Sequence, residues 1–202
     1  RLQEEVARLE QALKRNKQQR AASARTHKRF ARLRQDVETG TPYTASLRAL
    51  TQHLKRLGIQ RPAIHSALAW FQAHPKATIP TEAALRTALP QQILAFYRRE
   101  QGASPSPTEP EHPWYRRAWR WLRTRVVVRK VGMQHTGEGT AARLARAEAH
   151  GKAGRLKAAH AAVCPDSGPL APAFAGWCRA AGHHFRARHH LRTLQRELFH
   201  AR

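Results

Sequence analysis

The sequence predicts an all-α protein: an N-terminal coiled-coil helix followed by a small helical bundle and hairpins. Three observations predict it. Apolar residues recur at steps of three and four in the long segments, the helical period. Residues 1–39 contain neither Gly nor Pro, whereas both gather at the joints further on. No convincing run alternates apolar and polar residues as a half-buried strand would.

In the first helix, residues 1–39, Leu2, Val6, Leu9 and Leu13 step by four, three and four. That rhythm is a coiled-coil seam, and these residues are the expected oligomerisation site. Continued in frame, the seam meets Asn16, Arg20, Ser23 and His27 before Phe30 and Val37. It is therefore apolar for roughly two heptads and then polar, with Asn16 placed to set register.

Gly40 and Pro42 end this helix. A helical unit follows over 40–102. Thr44 is the expected cap of a helix carrying Leu47, Leu50, Leu54 and Leu57, which Gly58 stops. Pro62 opens the next, with Ile64, Leu68 and Phe71, and Pro75 closes it. In "IPTEAALRTALPQQILAFYRRE", Thr81 is the expected cap and Pro90 divides the segment in two. Leu85, Leu89, Ile93, Leu94 and Tyr97 supply its apolar face. Residues 103–113 hold four prolines and read as a linker.

Next comes "WYRRAWRWLRTRVVVRK", within a basic amphipathic segment over 114–131 that holds three tryptophans and seven basic residues. Wound at 100° per residue, Trp114, Tyr115, Trp119, Trp121, Leu122 and Val126 fall within about half the circumference. Arg116, Arg117, Arg120 and Arg123 take the other side. Rings beside guanidinium groups suit the interfacial zone of an anionic bilayer, so these ten residues are the candidate lipid-binding site, the alternative being that Trp114, Trp119 and Leu122 pack on the terminal hairpin as core. Phosphates and bases of a nucleic acid are the competing partner. Clustering of the tryptophans with aliphatics on one face favours insertion over a row of stacking platforms.

The segment 132–202 reads as a helical hairpin, Thr140 to Val163 with Gly151 and Gly154 at its turn, and a terminal helix. On that helix Phe174, Trp177, Ala181 and Phe185 share a face, followed by Leu191, Leu194 and Leu198.

Composition narrows the function. Across 202 residues, 37 Lys and Arg face 13 Asp and Glu, for a formal charge of +24, which selects polyanionic partners. Apolar residues make up 41% of the chain, many of them alanine, which suits close helix packing around a thin core. No apolar run is long enough to span a bilayer, no secretory signal is visible, and the chain reads as a piece of a longer protein. Carboxylates are scattered, and no phosphate-cradling glycine loop or nucleophile elbow occurs, so no enzyme and no cofactor are expected. In "HHFRARHH" no two histidines stand four apart, so a solvated polar face is expected there and no metal site. Cys164 and Cys178 form neither a disulfide framework nor a zinc pattern; two separate thiols are expected, with pairing the alternative in an oxidising compartment.

The order of parts resembles a known family. "RLRQDVETGTPYTASLRAL" follows the coiled coil. "IPTEAALRTALP", the Trp-rich helix ending in "VVVRKVG" and "ARLARAEAHGKAGRLKAAHAAV" come after it. Together, over about residues 30–200, these are similar to the bacterial members of the mitofilin family, which organises mitochondrial cristae and alphaproteobacterial inner membranes. The resemblance implies an amino-terminal membrane anchor, an oligomerising coiled coil, lipid-binding helices and a helical carboxy-terminal domain, without enzymatic activity. It implies a soluble part at the inner (cytoplasmic) membrane facing the periplasm, with envelope or outer-membrane proteins as partners. The Trp114–Lys130 helix lies where the family's lipid-binding helix would sit.

Overall fold

The computed structural model describes residues 1–74, 79–102, 139–164 and 168–199. These residues form helices α1 (Leu2–Thr39), α2 (Thr44–Arg56), α3 (Pro62–Ala73), α4 (Glu82–Gly102), α5 (Thr140–Lys152), α6 (Leu156–Val163) and α7 (Leu170–Phe199). No strand occurs among them, and none of the helices is long and apolar enough to cross a membrane. The chain folds as two compact units, and the first is discontinuous: Arg1–Thr81 with His183–Arg202, against Glu82–Gly182. The unit boundary thus falls inside the 40–102 stretch, and α7 contributes its first part to one unit and its second part to the other.

In the first unit, the end of α1 packs on α2. Phe30, Leu33 and Val37 are buried with Leu47, Leu50 and Leu54 of α2 and with Ile64, Leu68 and Phe71 of α3. Ala187, Leu191 and Leu194 of α7 complete this core. Phe30 and Val37, which continue the seam in frame, are therefore spent on intramolecular packing. The seam open to another chain is confined to the start of α1.

Gly40 sets the exit from α1. Its φ of 71° is left-handed, and it lets Gly40 N–H reach the Val37 carbonyl at 3.4 Å and Thr41 N–H the Asp36 carbonyl at 2.9 Å. These two bonds satisfy carbonyls that the end of a helix leaves open. Tyr43, not Thr44, occupies the N-cap of α2, and no side chain caps that end. Tyr43 is buried, and its hydroxyl donates to the His74 carbonyl at 2.6 Å, so packing decides where α2 starts.

The second unit holds α4, α5, α6 and the first part of α7. Pro90 does not divide α4, which runs unbroken from Glu82 to Gly102. A proline forfeits one backbone bond and crowds the preceding turn. Here Leu85 and Leu89 before it and Ile93 and Phe96 after it are all buried on one face, and that burial outweighs the lost bond. Leu94 and Tyr97, expected on that face, are only half-buried. The hairpin α5–α6 forms, but Gly151, expected at its turn, lies inside α5. Its turn uses Gly154 at φ 73°, with Arg155 N–H on the His150 carbonyl at 2.8 Å. Gly151 is buried close against α4: a Cβ there would meet Leu89 Cδ2 at 2.9 Å. Phe174, Trp177 and Ala181 of α7 are buried as one face, and the Trp177 indole N–H donates to the Leu85 carbonyl at 3.1 Å.

With so few carboxylates, guanidinium groups use backbone carbonyls. Arg29 reaches Ala49 O at 2.8 Å, Arg143 reaches Ala162 O at 2.9 Å, and Arg61 reaches Glu197 O at 2.6 Å. These bonds knit neighbouring helices without consuming the positive charge, so the surface field persists.

Candidate functional site: an exposed seam on a basic helix

Every residue from Arg1 to Arg20 is exposed. At 1.5 Å per residue that stretch of α1 is about 30 Å long, and it runs beyond the core of its unit. Leu2, Val6, Leu9 and Leu13 retain 79%, 53%, 69% and 58% of their surface. Four large apolar side chains in one row, open to water, form an unsatisfied apolar stripe. From Thr26 onward α1 is buried on one side instead.

The same helix carries much of the charge. Between residues 11 and 35 lie nine Lys and Arg and no acid. The described ion pairs of α1, Arg32–Asp36 at 3.2 Å and Arg34–Glu38 at 2.7 Å, sit near its C-terminal end.

The candidate lipid-binding residues Trp114, Tyr115, Arg116, Arg117, Trp119, Arg120, Trp121, Leu122, Arg123 and Val126 lie outside the described residues, as does the 103–113 linker.

Two clusters emerge that sequence reasoning passed over. The first gathers histidines on Trp70. Its ring stacks on His74 at 4.7 Å and on His190 at 4.9 Å, with His183 at 6.5 Å. The His74 Nδ1–H donates to the Trp70 carbonyl at 2.8 Å. His184 is buried, and its Nδ1–H donates to the Pro80 carbonyl at 2.9 Å. The expected solvated face of "HHFRARHH" is therefore corrected. The second unit ends between His183 and its neighbour Gly182, and from there α7 turns its histidines into the first unit's packing. Of the four, His189 is exposed, His184 is buried, and His183 and His190 are half-buried. Burial, with His189 and His74 close by, holds the His190 pKa below the usual imidazole value. His53 is lowered too, first by burial and then by Arg29, with the Ala22 carbonyl opposing and Arg25 and Arg56 adding.

The second cluster is His160, Cys164 and Cys178, whose ligand atoms all lie within 4.8 Å of one another. The expectation of two separate thiols is overturned: Cys164 and Cys178 form a disulfide, with Cα atoms 5.8 Å apart. The physical reason is the return of α7 beside the end of α6, a tertiary contact between residues fourteen apart that no helical period reveals. One signal was legible, since His160 and Cys164 stand four apart and so share a helix face.

An open depression of about 440 Å³ lies in the second unit, lined by Arg86, Thr87, Pro90, Glu148 and Lys152 among others. Lys152 pairs with Glu148 at 3.1 Å across it, and Arg86 donates to the Lys152 carbonyl at 3.2 Å. Lys152 and Glu148 thus pair with each other, and Arg86 spends a donor on a backbone carbonyl.

No protein-family model, curated protein or solved structure matches the chain.

Proposed function

We propose that the protein is a membrane-organising scaffold. It self-associates through the start of α1 and gathers an anionic inner-membrane surface through its basic, tryptophan-rich segment. The observation that carries this reading is the row Leu2, Val6, Leu9 and Leu13, exposed on a helix that extends beyond its own core. A second copy supplying the same row would cover it, in the manner of a two-stranded coiled coil.

The membrane half of the proposal rests on charge and sequence. A net charge of +24 concentrates the chain at anionic surfaces. Each Lys or Arg close to such a surface contributes about 1 kcal/mol, so four of the seven in the Trp114–Lys130 segment would contribute roughly 4 kcal/mol. Insertion of Trp119, Trp121 and Leu122 adds a part that salt does not screen. The likeness to mitofilins, in the order of the quoted segments, supports the same combination of oligomerisation, lipid binding and envelope partners. The disulfide suits an oxidising compartment such as a periplasm.

The test sets vesicles against nucleic acid. The full chain is sedimented with vesicles rich in anionic lipid and with neutral vesicles, and its affinity for RNA is measured in the same buffer. The proposal predicts retention on anionic vesicles at about 0.15 M salt, where the screening length is about 8 Å. Strong RNA binding with no vesicle binding would overturn it in favour of a nucleic-acid module.

A further inference from the structure

The cluster at the end of α6 has a chemistry that scaffolding does not use. His160 lies on α6, and Cys164 follows that helix one turn later, with Cys164 N–H on the His160 carbonyl at 2.9 Å. Cys178 comes from α7, one residue past the buried Trp177. Trp177 is anchored by its bond to the Leu85 carbonyl, and its ring lies 6.2 Å from that of His160. Two elements of one packed unit therefore deliver one imidazole and two sulfurs to a single point, all within 4.8 Å.

We propose that the disulfide and a metal site are alternative states of this cluster: once reduced, Cys164 and Cys178 join His160 in holding a thiophilic d¹⁰ cation, Zn²⁺ foremost. Two thiolates and one imidazole are a recognised zinc donor set, with a fourth position left for water or another donor. Soft sulfur donors select such cations over magnesium or calcium. With Zn–S near 2.3 Å and tetrahedral angles, the sulfurs must sit about 3.8 Å apart. Cα atoms 5.8 Å apart leave room for that separation through rotation about the cysteine side-chain bonds. All three residues are half-buried, so the site is open to a small reductant and to an ion.

The steps balance. A dithiol reductant attacks one sulfur through its thiolate, the Cys164–Cys178 bond breaks, and a mixed disulfide forms. The second reductant thiol displaces the remaining cysteine. The reductant leaves as a disulfide, having supplied two electrons and two protons, and the protein holds two thiols. The cation then displaces both thiol protons to solvent, forming two metal–sulfur bonds and one bond to neutral His160. Two thiolates cancel the charge of Zn²⁺.

This inference does not depend on the membrane reading. The full chain, reduced with a dithiol and desalted without oxygen, is titrated with Co²⁺ and then Zn²⁺, beside the oxidised chain. A thiolate-to-cobalt charge-transfer band reports sulfur ligation and is blind to the other histidines. The expected result is that band in the reduced chain at one ion per chain, its loss on adding Zn²⁺, and no band in the oxidised chain. His160→Ala should weaken Zn²⁺ binding by more than about tenfold, since even an outer-shell partner of a ligand is worth 10–100-fold. Circular dichroism and melting of the reduced chain with and without Zn²⁺ report folding, and zinc should raise the melting temperature. A folded reduced chain without the band, a His160→Ala variant that binds as tightly as the parent, or a reduced chain that unfolds and is not refolded by Zn²⁺ would each overturn the proposal.

Discussion

Leu9→Asp probes the exposed seam at its middle. Leu9 keeps 69% of its surface in the single chain, so pairing has about two-thirds of that side chain left to bury. Full burial of a leucine is worth about 2 kcal/mol, so the unburied share is close to 1.5 kcal/mol per helix and about 3 kcal/mol for a pair. Aspartate forfeits this, and it also places carboxylates in the seam, where desolvation opposes pairing further. A loss of at least about 3 kcal/mol raises the dissociation constant by more than roughly a hundredfold. The folded unit should be untouched, because substitutions at such exposed positions usually change stability by under about 0.5 kcal/mol. Sedimentation equilibrium over a range of concentrations measures the shift. Gln18→Asp, on the same exposed stretch but off the seam, controls for the change of charge. Equal weakening by both variants, or no change with Leu9→Asp, would refute the assignment of the seam.

Three further predictions follow from particular contacts. Cys164→Ser with Cys178→Ser opens a loop between residues fourteen apart, and chain entropy puts the loss at about 3 kcal/mol, read by urea unfolding of the oxidised parent and the variant. Stability should fall as pH drops below neutral. The folded pKa values of His53 and His190 lie below the ordinary 6.5, so the unfolded chain takes up protons first. Their contribution is whole above the unfolded value and is lost as pH falls through it towards the folded values, so melting temperature should decline from pH 7.5 to pH 5.5 and decline less in His190→Gln. Gly40→Ala should destabilise by about 1–2 kcal/mol, because alanine is strained at a left-handed φ. Its Cβ would also meet Thr81 Cγ2 at 3.0 Å, and thermal unfolding against the parent measures the sum.

The helices themselves were legible because the chain marks their ends with glycine and proline. Gly40, Gly58 and Pro62 fall where α1, α2 and α3 stop and start, and the apolar positions 47, 50, 54 and 64, 68, 71 are the buried ones. Local rules failed where tertiary packing overrode them. Pro90 carries a breaker's penalty, but the burial of Leu89 and Ile93 on either side keeps α4 whole. The division into units was not legible, because the end of α7 returns to α1–α3 across more than a hundred residues. That return also takes His184 and His190 out of the polar face that their neighbours' spacing suggested. Of the site, the open row on α1 could be read from period alone, since a two-heptad stripe that turns polar does not match the core that follows it. The disulfide could not, because Cys164 and Cys178 meet through the docking of two helices.

The proposed membrane role requires that one chain both draw itself to an anionic bilayer by charge and anchor there by rings. The deciding measurement is tryptophan emission with co-sedimentation on anionic vesicles, compared between the parent and Trp119→Glu with Leu122→Glu. The parent should show a blue shift that survives moderate salt. The variant should show no shift and binding that salt abolishes, although most of the +24 charge remains. Equal, salt-resistant binding of parent and variant would contradict it.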